Sequence, residues 1–133
     1  MNGGKFEHLL RPIEFGGIKL KNRMVMSPMS TNLATEEGFV TERLKAYYEE
    51  RAKGGIGMII IEYTCMDFPI SKGVARQICC DDDSFIPGLS ELVKVIHRHG
   101  VPVALQLCHA GRLASTRFTG CQPVEHPFSL NLP

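Results

Sequence analysis

The sequence predicts an α/β fold, a short hairpin followed by three steps of a parallel sheet with helical crossovers. Three observations carry this. Two alternating tripeptides flank a Gly-Gly step, an amphipathic helical pattern starts at Thr41, and two apolar runs, at Met58–Ile61 and Val101–Leu107, each follow a helical pattern. With 133 residues the chain is read as one domain, residues 1–133.

Ile13-Glu14-Phe15 and Ile18-Lys19-Leu20 alternate around Gly16-Gly17, and a two-residue turn of this kind needs positive φ, which glycine supplies. Arg23 to Ser27 reads as the first parallel strand, stopped by Pro28, which has no N–H for a ladder. From Thr41, a candidate N-cap, Leu44, Tyr47, Tyr48 and Arg51 recur at helical spacing. Glu42, Lys45, Glu49 and Glu50 fill the other face, and Gly54-Gly55 ends the pattern. Gly57 to Glu62 then reads as a strand covered on both faces.

The next helix carries Leu89, Leu92, Val93 and Ile96 on one stripe. Pro87 lies in its first turn, and Asp81 to Asp83 sit near its positive end. Val101 to Leu107 is the third strand. Thr64 to Asp83 reads as a long loop, and a loop of that length points to function or disorder. Gly111 to Pro133 shows no period.

Composition narrows the function. At 44% hydrophobic and 22% charged residues the chain is globular, and a net charge of +1 provides no summed field to hold nucleic acid or an anionic membrane. No apolar stretch approaches the ~20 residues that span a bilayer. The N-terminus has Glu7 and His8 where a signal peptide needs an apolar core, so a cytoplasmic protein is expected. Five cysteines without a C-x-x-C pair fit neither a disulfide framework nor a zinc site, and free thiols and no metal are expected. His97 and His99, two apart on a helix, point to opposite sides and cannot share a metal ion. Gly55-Ile56-Gly57 precedes a strand and lacks the third glycine of a dinucleotide fingerprint.

In parallel α/β architectures ligands collect at the carboxyl ends of the strands. This selects Pro28-Met29-Ser30-Thr31-Asn32, Glu62-Tyr63-Thr64 and Gln106-Leu107-Cys108-His109-Ala110-Gly111-Arg112. Taken singly, each has an ordinary reading: core filler for Met29, turn residues for Ser30 and Thr31, a satisfied polar group for Gln106. Gln106 stands out because it interrupts an apolar run, where an unpaired amide costs ~1–3 kcal/mol, so it needs a partner.

Taken together, the clusters resemble a known family. Leu20-Lys21-Asn22-Arg23 leading into Ser27-Pro28-Met29, a Tyr-containing helix ending Arg51-Ala52-Lys53-Gly54-Gly55-Ile56-Gly57, and Gln106-Leu107-Cys108-His109-Ala110-Gly111-Arg112 are similar to the old yellow enzymes. Within that family the likeness is to the NADH:flavin oxidoreductase branch of 2-enoate reductases, 2,4-dienoyl-CoA reductases and bile-acid-inducible flavoenzymes. It covers about residues 6 to 123, and the three motifs in order are highly specific where any one alone is not.

The resemblance implies the N-terminal portion of a (β/α)8 TIM barrel, with the bottom hairpin and the first three β/α units present and the barrel incomplete. It implies FMN, with NADH or NADPH as hydride donor and an activated alkene, an enoate or enoyl thioester, as small-molecule substrate. Pro28, Met29 and Ser30 would line the flavin ring, Tyr63 would lie beside it after the second strand, and Gln106 would bind its pyrimidine edge. An amide matches that edge because it donates and accepts side by side. Ser30 stands where the family has Thr or Cys, a place from which a hydroxyl tunes the flavin.

The family's proton donor, substrate anchors and phosphate-binding loops belong to later strands, so no catalytic residue is assigned. FAD and an iron–sulfur cluster belong to longer relatives, whose cluster cysteines none of the five here matches. A homo-oligomer is expected only of a full-length parent. The expectation is therefore a fragment that carries the flavin-ring face and is inactive alone. The text from Val124 to Leu130 departs from the family's usual Ala-Pro-Ser continuation, pointing to a truncated, frameshifted or incomplete gene model. The competing expectation is a non-enzymatic remnant or assembly module without cofactor.

Overall fold

A computed structural model describes residues 6–123; the departure expected at 124–130 lies outside them. In chain order the elements are α1 (Glu7–Leu10), β1 (Ile13–Phe15), β2 (Ile18–Leu20), β3 (Val25–Met26), α2 (Glu42–Lys53), β4 (Met58–Cys65), α3 (Ile86–His97), β5 (Val103–Cys108) and α4 (Thr116–Thr119). β1 and β2 form the antiparallel hairpin, Ile13 opposite Leu20, with positive φ at both Gly16 and Gly17 as the turn demands. β3, β4 and β5 form a parallel sheet in that order, one helix in each crossover.

Thr41 caps α2 as its sequence suggests. Its backbone is extended, and its hydroxyl oxygen accepts the Leu44 N–H at 3.2 Å while the hydroxyl donates to the Leu33 carbonyl. The buried stripe is Leu44, Tyr48 and Ala52, one position round from the one the sequence suggests. Arg51 lies in solvent, its guanidinium 3.5 Å from the centre of the Tyr47 ring. α3 buries Leu92 and Ile96, has Pro87 in its first turn, and is preceded by a 3₁₀ turn, Asp83–Phe85, that Asp82 caps through the Ser84 N–H.

These helices cover one face of the sheet. Leu44, Tyr48, Leu92 and Ile96 meet Ile59 and Ile61 of β4 and Val101 before β5 in a single core. Each such side chain contributes roughly 1.5–3 kcal/mol by leaving water. The other face, at the amino ends of the strands, meets the hairpin across an apolar cleft of about 280 Å³ lined by Phe15, Leu20, Val25, Met58 and Ile60.

Asn22 locks this corner together. Its side-chain amide donates to the Gly55 carbonyl at 2.8 Å, and its oxygen accepts the Met24 N–H at 3.1 Å. A Cβ on Gly57 would lie 2.4 Å from the Asn22 carbonyl oxygen, so that position admits only glycine.

Three sequence expectations need correction. The first parallel strand is only Val25–Met26, because the ladder with β4 ends at Met26 opposite Ile59. β4 continues to Cys65 instead of stopping at Glu62. The segment Ile78–Cys80 returns beside it, Cys65 donating to the Ile78 carbonyl at 2.8 Å and accepting from the Cys80 N–H at 2.9 Å. The stretch after Gly111 is not structureless within the described residues: it holds a 3₁₀ turn, Gly111–Leu113, and α4.

Candidate functional site

The carboxyl ends of β3, β4 and β5 lie side by side, and a register irregularity shapes them. Ile61 pairs with Leu105 and Thr64 with Leu107, so Glu62 and Tyr63 together oppose Gln106. That is a β-bulge, the device that re-aims side chains at sheet rims. Tyr63 and Gln106 line one cleft of about 420 Å³ with Gly73, Cys108, Ala110 and Leu113. Burial pushes the Cys108 thiol up, so it stays protonated there.

Tyr63 lies within β4, not after it, because the strand is longer than its apolar run. Gln106 does not sit among apolar groups awaiting a partner. It is exposed, because Val103 and Leu105 take the helix-covered side while the pleat gives Gln106 the uncovered one. Pro28, Met29 and Ser30 follow β3, on the far side of β4 from that cleft, and do not line it. Pro28 is half-buried, Met29 is 58% exposed and Ser30 is exposed.

What joins the two sides is Glu62, which topology places in the second strand-end cluster but to which neither the sequence nor the resemblance gives a role. Glu62 is 1% exposed. Its Oε2 accepts the Thr31 N–H at 2.5 Å and its Oε1 accepts the Thr31 hydroxyl at 3.1 Å. Burial raises the Glu62 carboxyl above its ordinary range, against the two Thr31 donors, which pull it down. The Glu62 N–H donates at 2.8 Å to the hydroxyl of Tyr48, and burial pushes that phenol up.

The long loop after β4 is fixed by its own polar groups. The Ser71 hydroxyl oxygen accepts from Met66 and Asp67, the buried Lys72 ammonium donates to the Glu36 carbonyl, and the Gln77 side-chain oxygen accepts the Gly73 N–H at 2.8 Å. Next to the rim, Asn32 takes a left-handed backbone at φ 57°, and its side-chain oxygen accepts the Arg76 N–H at 2.7 Å. Among the described residues no cluster of three or more His, Cys, Asp or Glu side chains forms a metal site, and no helix is long and apolar enough to cross a membrane.

The sequence profile of the NADH:flavin oxidoreductase / NADH oxidase family matches residues 8–129. The chain belongs to that family. Among its relatives, the NADH oxidase of Thermoanaerobacter brockii is 43% identical over 120 residues, 90% of this chain and 18% of that protein. The NADPH dehydrogenase of Geobacillus thermodenitrificans is 36% identical over 126 residues, 94% of this chain and 37% of that protein.

Among solved structures, a 2-naphthoyl-CoA reductase in complex with 2-naphthoyl-CoA superposes with a TM-score of 0.83 at 31% identity, over 87% of this chain and 18% of its own. The old yellow enzyme of Trypanosoma cruzi gives a TM-score of 0.80 at 33% identity, over 93% of this chain and 33% of its own. The chain thus spans between about a fifth and about two fifths of the proteins it matches. The architecture is that of the opening part of an old yellow enzyme barrel, not closed, as the sequence leads one to expect.

Proposed function

We propose that this chain is the N-terminal part of an FMN-binding barrel domain, residues 1–133, in a NAD(P)H-dependent ene-reductase. It carries the flavin-ring face, and Pro28, Met29, Ser30, Tyr63 and Gln106 form that face. The observation that carries the reading is the exposed amide of Gln106 beside Tyr63 at the bulged carboxyl end of the sheet. An amide held on a strand offers one acceptor and two donors in fixed array, the set needed for the carbonyl and N–H edge of a flavin. The cleft beside it has walls of mixed character that suit an aromatic ring system.

When bound, FMN supplies hydride exchange between a nicotinamide and an activated alkene. The chain's own residues have the other tasks. Gln106 orients the ring by its edge, Tyr63 flanks it, and Met29 presents an apolar thioether to it. Ser30 offers a hydroxyl donor from the loop after β3. Enoates or enoyl thioesters are the substrate class, in keeping with the 2-naphthoyl-CoA bound by one structural relative. A cytoplasmic location and the 2-enoate reductase-like branch belong to the same reading.

Titration of FMN into the chain, followed by quenching of flavin fluorescence, tests this. Saturable binding that Gln106→Leu weakens by about tenfold, the loss of one or two net hydrogen bonds, is the expected result. Binding unaffected by that change removes Gln106 from the site, and no binding by the chain or by a version extended along its gene leaves an assembly module without cofactor.

A further inference from the structure

The loop after β3 carries Met29 and Ser30, yet neither is buried, and nothing in their own sequence fixes their position. The next two residues do. Thr31 is gripped by Glu62 through both carboxylate oxygens, and Asn32 turns the backbone into the left-handed region and accepts the Arg76 N–H. Successive residues of one loop are thus pinned to β4 and to the loop that follows it.

The grip depends on a carboxylate. The Thr31 hydroxyl oxygen already accepts the Leu33 N–H at 3.2 Å, so its hydrogen is free for Glu62 Oε1, while the Thr31 N–H takes Oε2. Two donors on one residue meet two acceptors on another. A glutamine offers only one acceptor. Its NH₂ would face the Thr31 hydroxyl, which would turn to accept and leave its own hydrogen without a partner. From below, the Glu62 backbone is itself held by the buried Tyr48 hydroxyl, so the clamp is anchored in the core rather than at the surface.

We propose that Glu62 is a positioning residue for the cofactor rim, acting through Thr31 to fix the backbone of Met29 and Ser30. The proposal rests on the flavin reading for its consequence but not for its geometry, and the experiment separates the two.

Amide hydrogen exchange on the full chain reads the geometry. The Thr31 amide is expected to be protected, and to lose protection about tenfold, the cost of one lost net hydrogen bond, in Glu62→Gln and by a similar factor in Thr31→Val, since each keeps the bond to the Thr31 N–H and removes the one to its hydroxyl. Thr31→Ser, which keeps both donors, should restore the original protection. Amides of α2 and β4 should not change. FMN affinity is then compared across the same variants: it should fall with the loss of Thr31 protection and return in Thr31→Ser, a pattern that loss of general stability does not produce.

An unprotected Thr31 amide in the unaltered chain, or equal protection in Glu62→Gln, overturns the clamp. An intact clamp with FMN affinity the same in all variants overturns the positioning role. Failure of both the unaltered chain and a version extended along its gene to bind FMN, with the exchange pattern as expected, counts against the flavin reading and the positioning role while the clamp stands.

Discussion

The Tyr48 hydroxyl on α2 accepts the backbone N–H of Glu62 on β4 at 2.8 Å, with both residues sealed from solvent. A crossover helix thereby supplies a ladder partner to a strand at the point where the bulge removes one. Tyr48→Phe keeps the ring and leaves that N–H without an acceptor. The expected loss is ~1–3 kcal/mol, seen as a lower urea midpoint with unchanged slope.

Gly57→Ala should be far worse than an ordinary glycine substitution. The new methyl would meet the backbone oxygen of Asn22 at 2.4 Å and its side-chain oxygen at 2.5 Å, and a backbone oxygen cannot swing aside. The expected outcome is loss of soluble chain on expression. Gly55→Ala meets nothing within 4 Å and is strained only by its φ of +88°, so it should stay soluble with a penalty of about 1 kcal/mol.

Glu62 gives stability a definite pH dependence. Its folded-state carboxyl is raised above the ordinary 4.5 by burial. A raised acid favours folding most when protonated, so its contribution is fully present below the unfolded value and is lost as pH rises through the folded one. Unfolding free energy measured across that window should therefore fall with rising pH by more in the natural chain than in Glu62→Gln, which does not titrate.

The uncovered face should dominate the solution behaviour of the 133-residue chain. Phe15 is 70% exposed and Val25 46% exposed, and β3 and β5 both end the sheet. Such edges and apolar faces invite association. Concentration-dependent self-association in sedimentation, and binding of a hydrophobic dye, are expected; a chain that stays monomeric at every concentration and binds no dye would contradict this.

The hairpin, the three parallel strands and both crossover helices are legible because each has a local cause: Gly16-Gly17, the cap at Thr41, Pro87, the run at Ile59–Ile61. What the sequence misplaces depends on distant partners. β4 is longer because Ile78–Cys80 returns to it, and Gln106 is solvated because one face of the sheet has no cover. α1 was not foreseen, since four residues at Glu7–Leu10 are too few to show a period. The rim residues are reached through motif and topology, but the bond from Glu62 to Thr31, 31 positions apart, has no trace in spacing.

Counting along β4 decides what its upper end displays. Three steps separate Ile61 from Thr64 where its neighbour takes two. Deleting either Glu62 or Tyr63 would leave Ile61 opposite Leu105 and Thr64 opposite Leu107 with a single residue facing Gln106, flattening the bulge and taking one of its two side chains from the rim. The surplus residue is the hinge between a dry wall and a wet brim, and a shortened strand would keep its length of ladder while presenting one side chain too few to any visitor.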